Sequence, residues 1–473
     1  MATILRNFNE ETALVQVYDY EEQVNDLTRE AFGTDFTWGI AMAAFQNEGA
    51  WDKDGKGESI WDRFTHKRGK IKDRSNAEVA TDFYHRFEED IQHTKALGFN
   101  TFRFSISWSR ILPNGIGQIN RAGLEFYHQL VDKCHEYGLE PWVTLYHWDL
   151  TQALEDMGGW TNREIIDWFS EYCEIVTEEF AHKVKYWMVL NEPAGFTGLG
   201  YMTGYHAPGR MGMSNFLPAV HHTAMCQAEG GRIIRKNIPE AIIGTTFSFS
   251  HVEAHRPHKH ADVAAAKRID ALMNRLFLEP ALGLGYPVEE LPFLKTMVKK
   301  YVHEGDMERL AFDFDFIGVQ NYFKIVAKNA WWMPYINATE VKPHKRQVTN
   351  LTELGWEISP DGMYETLKQV GAYPQVKQIV VTENGAAFED HLTEDGRVHD
   401  LKRTQFYHHY LLNVLKAKRE GVKVNGYLAW TLTDNFEWTE GFKPRFGLIH
   451  VDFKTQKRTL KDSALWFQGL LRR

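Results

Sequence analysis

Two glutamates stand where strand-like runs give way to turns. Tyr186-Trp187-Met188-Val189-Leu190-Asn191 leads into Glu192 just before Pro193, and Ile379-Val380-Val381-Thr382 leads into Glu383 just before the turn dipeptide Asn384-Gly385. Either one alone reads as a solvated glutamate in a strand-to-loop turn. Brought to one mouth, the pair has the chemistry that acetal cleavage requires. One carboxyl would protonate the leaving oxygen, while the other would attack or stabilise the carbon being vacated. Other strand ends hold compatible groups: Gln46, Arg103, His147, Trp148, Asp149, Asn191, Tyr322, Asn384, Trp430, Glu437 and Trp438. Carboxylates, a guanidinium, amides, an imidazole and three indoles would then share one face. Their joint placement carries the argument.

Such a convergence needs a scaffold that aims many strand ends the same way. Apolar, β-branched and aromatic runs recur at Phe36–Met42, Thr101–Ile106, Pro141–Tyr146, Lys185–Leu190, Ala241–Ser248, Phe314–Tyr322, Gln378–Thr382 and Val424–Leu432. Their near-continuous hydrophobicity suits parallel strands buried on both faces. Helical periodicity fills the gaps at Asn76–Leu97, Arg121–Tyr137, Asn162–Phe180, Leu217–Lys236, Pro360–Gly371 and Leu401–Glu420. Eight strands alternating with helices predict a single (β/α)8 TIM barrel, with chemistry at the C-terminal strand ends. Three connections are long: residues 49–75, 193–216 and 323–359, the last carrying Trp331, Trp332, Tyr335 and Trp356. Long βα loops usually crown the catalytic face. A barrel domain over 32–473 and a polar extension over 1–31 are the expected organisation.

Bulk composition narrows the class. The 473 residues are 43% hydrophobic and 25% charged, as in ordinary globular proteins, and a net charge of −9 gives no basic footprint for nucleic acid. Aromatic residues make up 14%, enough to fill a large core and still line a sugar site with rings. Three cysteines, Cys134, Cys173 and Cys226, are too few and too odd in number for a disulfide scaffold. The start of the chain has no cationic, apolar leader, and no apolar run approaches the roughly 18 residues of a membrane helix. A cytoplasmic location, with no membrane partner, is the expectation.

From about residue 32 onward the chain resembles glycoside hydrolase family 1, the β-glucosidase family. The segments that carry the resemblance are FTWGIAMAAFQNEGAWD (36–52), FRFSISWSRILP (102–113), LYHWDL (145–150), LNEP (190–193), GYHAPG (204–209), VTENG (381–385) and LAWTLTDNFEWTEGF (428–442). The resemblance implies a (β/α)8 barrel that hydrolyses small β-glycosides or oligosaccharides with retention, using no cofactor and no metal. It assigns Glu192 as acid/base and Glu383 as nucleophile. Arg103 and Tyr322 would support the nucleophile, and Asn191 would bind the sugar 2-hydroxyl. Gln46, His147, Trp148, Trp356, Trp430, Glu437, Trp438 and Phe446 match positions that hold the sugar or line its site. Arg103 is expected to lower the pKa of Glu383 by charge pairing, and the Glu383 charge to raise that of Glu192.

The resemblance also separates near neighbours. Family members that act on 6-phosphoglycosides put Ser where Glu437 stands, followed by a Lys and a Tyr; Pro444 and Phe446 occupy those places here. Thioglucosidases lack the acid/base glutamate, and this chain has it. A catalytically silent sugar-binding barrel and a transglycosylase are the alternatives, and the oligomeric state is left open. Departures from the family pattern are Phe45 and Asn47 around Gln46, Thr151 after HWDL, and Val319-Gln320-Asn321-Tyr322 where many members read Asn-Tyr-Tyr. Gln320 and Asn321 are expected to face the leaving group. The tract His251, His255, His258 and His260 reads as a solvated loop, and the Gly195–Gly200 run has the wrong spacing for a dinucleotide loop.

Overall fold

Each of the eight apolar runs becomes a strand in a computed structural model that describes residues 27–472. The strands are β1 (Thr37–Ala41), β2 (Thr101–Ser105), β3 (Glu140–Tyr146), β4 (Tyr186–Asn191), β5 (Ile242–Ser248), β6 (Phe316–Gln320), β7 (Ile379–Asn384) and β8 (Val424–Trp430). They close into an all-parallel barrel in sequence order, with β8 pairing back onto β1. Most are a little shorter than their apolar runs. Tyr322, expected inside the sixth strand, lies two residues beyond β6.

Parallel strands buried on both faces must feed two cores, and the side chains divide accordingly. Phe102 and Phe104 of β2, Val143 and Leu145 of β3 and Ile317 and Val319 of β6 point outward into the layer shared with the helices. Trp142, Met188, Phe316, Val380, Leu428 and Trp430 fill the barrel interior together with Phe446. Period two therefore sorts each strand into an outer row and an inner row.

That alternation breaks twice, on β4 and on β7. The register of β4 against β5 shifts between Met188 and Asn191. The register of β7 against β6 shifts between Val381 and Glu383. Leu190 packs in the outer core beside Val189, so the next residue, Asn191, turns inward. Val381 faces outward, and after the shift Glu383 reaches the interior instead of following it. Bulges of this kind re-aim side chains at barrel rims. Both strands that carry the paired glutamates use one.

The helices depart modestly from expectation. The first barrel helix is Phe83–Ala96 rather than Asn76–Leu97, because the chain turns at Ala80 and Asp82, both with positive φ. The fourth begins earlier than expected, at Met213. The connection over 323–359 is ordered: Ile325–Asn329 and Ala338–Glu340 join Val252–Ala254 in a three-stranded sheet. His251, His255 and His258 of the histidine tract lie outside the strand Val252–Ala254 in loop, and His260 opens the helix His260–Asp270. Gly195–Gly200 lies in the helical segments Pro193–Thr197 and Gly198–Met202.

Residues 1–26, most of the expected polar extension, lie outside the described residues. Its last part, from Leu27, is described. Leu27 is buried and the Arg29 guanidinium donates to the Leu471 carbonyl at 2.9 Å, so this stretch packs on the barrel.

A buried ion cluster locks the C-terminal segment to the loops that follow β7 and β8. Lys461 donates to Asp390 and Asp434, each at 2.6 Å, and Arg403 holds Asp390 and Asp400. Arg445 adds a 2.7 Å contact to Asp434, whose other oxygen accepts from the Gly447 amide. Phe446, between those two residues, is thereby fixed against the barrel interior.

Candidate active site

Arg103 occupies the inner row of β2, flanked by Phe102 and Phe104 on the outer row. Buried there, its guanidinium has to find acceptors on other strands. Nη1 donates to Glu383 Oε1 at 2.6 Å and to the Thr382 carbonyl at 3.1 Å, Nη2 to Asn191 Oδ1 at 2.6 Å, and Nε to Thr144 Oγ1 at 3.1 Å. One side chain therefore joins β2, β3, β4 and β7.

Glu383 accepts two further bonds. The Tyr322 hydroxyl donates to Oε2 at 2.7 Å, and the Gln320 amide donates to Oε1 at 2.7 Å. Asn191 Oδ1 accepts from Arg103, from Gln320 at 2.8 Å and from the Thr246 hydroxyl at 3.0 Å. Its amide nitrogen is left to donate to His147 Nε2 at 3.1 Å. Glu192 lies one residue past β4 with φ 47 and ψ 62, a left-handed conformation that costs a non-glycine residue on the order of 1 kcal/mol or more. The Ser248 hydroxyl from β5 favours its ionised form, against the larger opposing effect of burial.

The two carboxyls have different surroundings. Burial raises the Glu192 pKa to about 8, helped by the negative charge of Glu383. Burial also pushes Glu383 up, against the opposing pull of Arg103 and Tyr322. The expected lowering by Arg103 is present but is outweighed by burial. The Arg103 ion pair nevertheless makes Glu383 the first of the two to ionise, and its charge then helps Glu192 keep a proton. Glu437 is raised to about 8 by burial and by the charges of Glu383 and Glu440. Burial, with Arg103 nearby, holds His147 well below the usual histidine range, so it is neutral. A neutral ring that accepts from Asn191 at Nε2 carries its proton on Nδ1, which is buried with no protein partner.

The remaining expected residues gather in two aromatic groups. His147 lies nearly parallel to Trp430, with ring centroids 5.9 Å apart, and to Trp438 at 6.0 Å. Trp148 stacks on Trp438 at 4.7 Å, and its indole N–H donates to the Asn191 carbonyl at 2.9 Å. Gln46 donates to the Phe436 carbonyl at 3.0 Å and reaches Glu437 Oε2 at 3.4 Å, while its own Oε1 is buried without a partner. Phe45 stacks parallel on Trp438 at 6.1 Å. On the opposite side Tyr322, Trp356 and Phe446 pack together, the Tyr322 ring set edgewise on Phe446 at 6.1 Å.

One expectation is overturned. Gln320 and Asn321 do not face a leaving group: Gln320 sits inside the barrel against Glu383 and Asn191, and Asn321 donates to the Phe249 carbonyl at 3.0 Å. Period two held the signal. Phe316, Gly318 and Gln320 form one row of β6, and Gly244, Thr246 and Ser248 one row of β5, alternating with apolar Ile317, Val319, Ile243 and Phe247. Small or polar residues at alternate places toward the ends of these strands mark a polar interior that includes Thr246 and Ser248. Among the described residues, no group of three His, Cys, Asp or Glu side chains is placed to hold a metal.

A closed parallel barrel with paired carboxyls at the ends of β4 and β7, one tied to a cation and one keeping its proton, defines a (β/α)8 glycoside hydrolase. The chain belongs to glycosyl hydrolase family 1, whose profile matches residues 28–473. It is 39% identical to β-glucosidase A of Thermotoga maritima over 93% of this chain and 98% of that protein. It is 38% identical to β-glucosidase A of Acetivibrio thermocellus over 94% and 99%. The solved structure of the Thermotoga maritima β-glucosidase in complex with deoxynojirimycin superposes with a TM-score of 0.89 at 39% identity, covering 93% of this chain and 98% of that one.

Proposed function

We propose that this β-glucosidase hydrolyses terminal β-D-glucosyl residues of small O-glycosides or oligosaccharides by double displacement, with Glu383 as nucleophile and Glu192 as acid/base. The observation that carries this assignment of roles is the unequal environment of the two carboxyls. Glu383 accepts from a guanidinium, an amide and a phenol, whereas Glu192 sits beside a negative charge and keeps its proton to about pH 8.

In the first step Glu383 forms a bond to the anomeric carbon as the glycosidic C–O bond breaks, and the Glu192 proton passes to the leaving oxygen. Esterification removes the negative charge from Glu383, and with it one cause of the raised Glu192 pKa. Glu192 then accepts a proton from water, whose oxygen attacks the anomeric carbon and releases Glu383. Two inversions give net retention. Asn191 is the donor for the 2-hydroxyl, with Gln46, His147, Glu437 and Trp438 for the other hydroxyls and Trp430 as the stacking surface. Trp148 holds Asn191 and Trp438 from behind, and Trp356 and Phe446 wall the side of Tyr322.

The activated 2-deoxy-2-fluoro-β-glucoside tests the assignment. The protein should accumulate a covalent adduct, and peptide mapping should place it on Glu383. An adduct on another carboxylate would exchange or remove the roles. Three buried, unpaired thiols support a reducing compartment, and we place the protein in the cytoplasm as one catalytic domain preceded by a polar extension. Among the described residues no helix is long and apolar enough to cross a membrane.

A further inference from the structure

We infer that Gln320 is a positioning residue that couples the nucleophile to the amide that reads the substrate's 2-hydroxyl. The inference rests on the roles proposed above for Glu383 and Asn191. Gln320 ends β6 in the inner row and is fully buried. Its single amide nitrogen lies 2.7 Å from Glu383 Oε1, 2.8 Å from Asn191 Oδ1 and 3.2 Å from Thr246 Oγ1. An amide has two N–H hydrogens, and the two shortest contacts take them.

Arg103 makes the same bridge independently, with one guanidinium nitrogen on Glu383 Oε1 and another on Asn191 Oδ1, both at 2.6 Å. Two side chains from β2 and β6 thus connect one oxygen of the nucleophile to one oxygen of Asn191, closing a ring of four hydrogen bonds. Tyr322 and Thr246 hold the two groups separately, but a single bridge would leave them free to move relative to one another. The second bridge removes that freedom.

Two consequences follow for the chemistry. With Arg103, Gln320 and Thr246 all donating to it, Asn191 Oδ1 has no reason to exchange places with Nδ2. The amide must present N–H, which is what a 2-hydroxyl oxygen gaining importance in the transition state requires. The second concerns charge. Gln320 is a neutral donor on a buried carboxylate, so it favours the ionised form without adding a second cation to the site. When Glu383 becomes an ester, that bond weakens, and the change reaches Asn191 through the shared amide.

Gln320→Met keeps the length and apolar stem of the side chain and deletes both N–H groups. Hydrolysis of an aryl β-glucoside should fall about 10- to 100-fold in kcat/KM, the scale of a lost hydrogen bond to a charged group. Two further readouts separate positioning from packing. The acid limb of the pH profile should move to higher pH, because Glu383 loses a donor that favours its ionised form. The preference for glucoside over 2-deoxyglucoside should shrink several-fold, because Asn191 is less firmly held. A folded variant with kcat/KM within twofold of the parent, an unmoved acid limb and an unchanged 2-hydroxyl preference overturns the inference.

Folding of the variant is not required for a second test on the unmutated protein. The Gln320 side-chain amide proton resonances should shift upfield when Glu383 is esterified by the 2-fluoroglucoside, and unmoved resonances overturn the coupling. Peptide mapping of the same adduct tells the two levels apart. An adduct on a residue other than Glu383 removes the underlying assignment of roles. An adduct on Glu383 with silent Gln320 readouts removes only this one.

Discussion

Arg103 and Glu383 are 280 residues apart in the chain and 2.6 Å apart inside the barrel, and the same guanidinium also reaches Asn191 at 2.6 Å. The ion pair is almost wholly shielded from water. Removing one member of a buried pair costs roughly 3–5 kcal/mol, because the other is left desolvated and alone. Lysine would keep the charge but lose the fork that reaches three other strands at once. Arg103→Lys is therefore expected to reduce kcat/KM by about 10²–10⁴-fold, each factor of ten being about 1.4 kcal/mol. The sign for pH is fixed: weaker pairing raises Glu383 further, so the acid limb moves upward. Initial rates on an aryl β-glucoside across pH check both points.

Glu192 should set the alkaline limb. Its carboxyl, raised to about 8 by burial and by Glu383, must be protonated to act as an acid, so kcat/KM falls as pH rises through that value. Glu192→Ala should slow alkyl glucosides by about 10²–10⁴-fold. Dinitrophenyl glucoside, whose leaving group needs no proton, should lose far less in the glycosylation step and show no alkaline limb near 8. Equal losses on both substrates would count against the acid role.

Glu437 is also raised to about 8, by burial first and then by the charges of Glu383 and Glu440, so it is the competing source of an alkaline limb. Glu437→Gln separates the two. The limb should persist, moved slightly downward because Glu192 loses a nearby negative charge. If Glu437 reads the 6-hydroxyl, activity on glucoside should drop about 10- to 100-fold and activity on the 6-deoxy sugar fucoside by less. Disappearance of the limb would transfer its assignment to Glu437.

Stability should depend on the buried Lys461 cluster. Burial raises Asp434, but Lys461 and Arg445 outweigh burial and hold its pKa below the ordinary value. A depressed carboxyl contributes stability above its unfolded pKa and loses it as pH falls through the folded one. Lys461→Met leaves Asp390 and Asp434 with fewer cations and should cost about 3–5 kcal/mol at neutral pH. The gap from the parent should narrow as pH falls into the carboxylate range. Denaturant midpoints at several pH values measure it.

Much of this protein is legible along the chain because its information is periodic. Eight apolar runs of strand length, separated by helical periods, specify a barrel, since parallel strands buried on both faces have few other ways to close. The two glutamates could be picked out because each ends such a run before a turn. Even the polar interior row of β5, with Thr246 and Ser248, is written in the sequence as a period of two.

Tertiary structure decided what local pattern cannot carry. Strict alternation would turn Glu383 outward with Val381 and Asn191 outward with Val189, and the register shifts on β7 and β4 bring both inside. Gly385 tells the same story: a side chain there would collide with the Trp430 carbonyl, a constraint imposed by a strand that follows some forty residues later. The unequal acidity of Glu192 and Glu383, and the meeting of Gln320 with Arg103 around Glu383 and Asn191, likewise depend on burial and on distances between strands. By itself the sequence determined the elements and the residue types at their ends. Closure of the barrel decided which of those ends face one another and what charge each carries, because a field and a desolvation cost exist only once the strands have met.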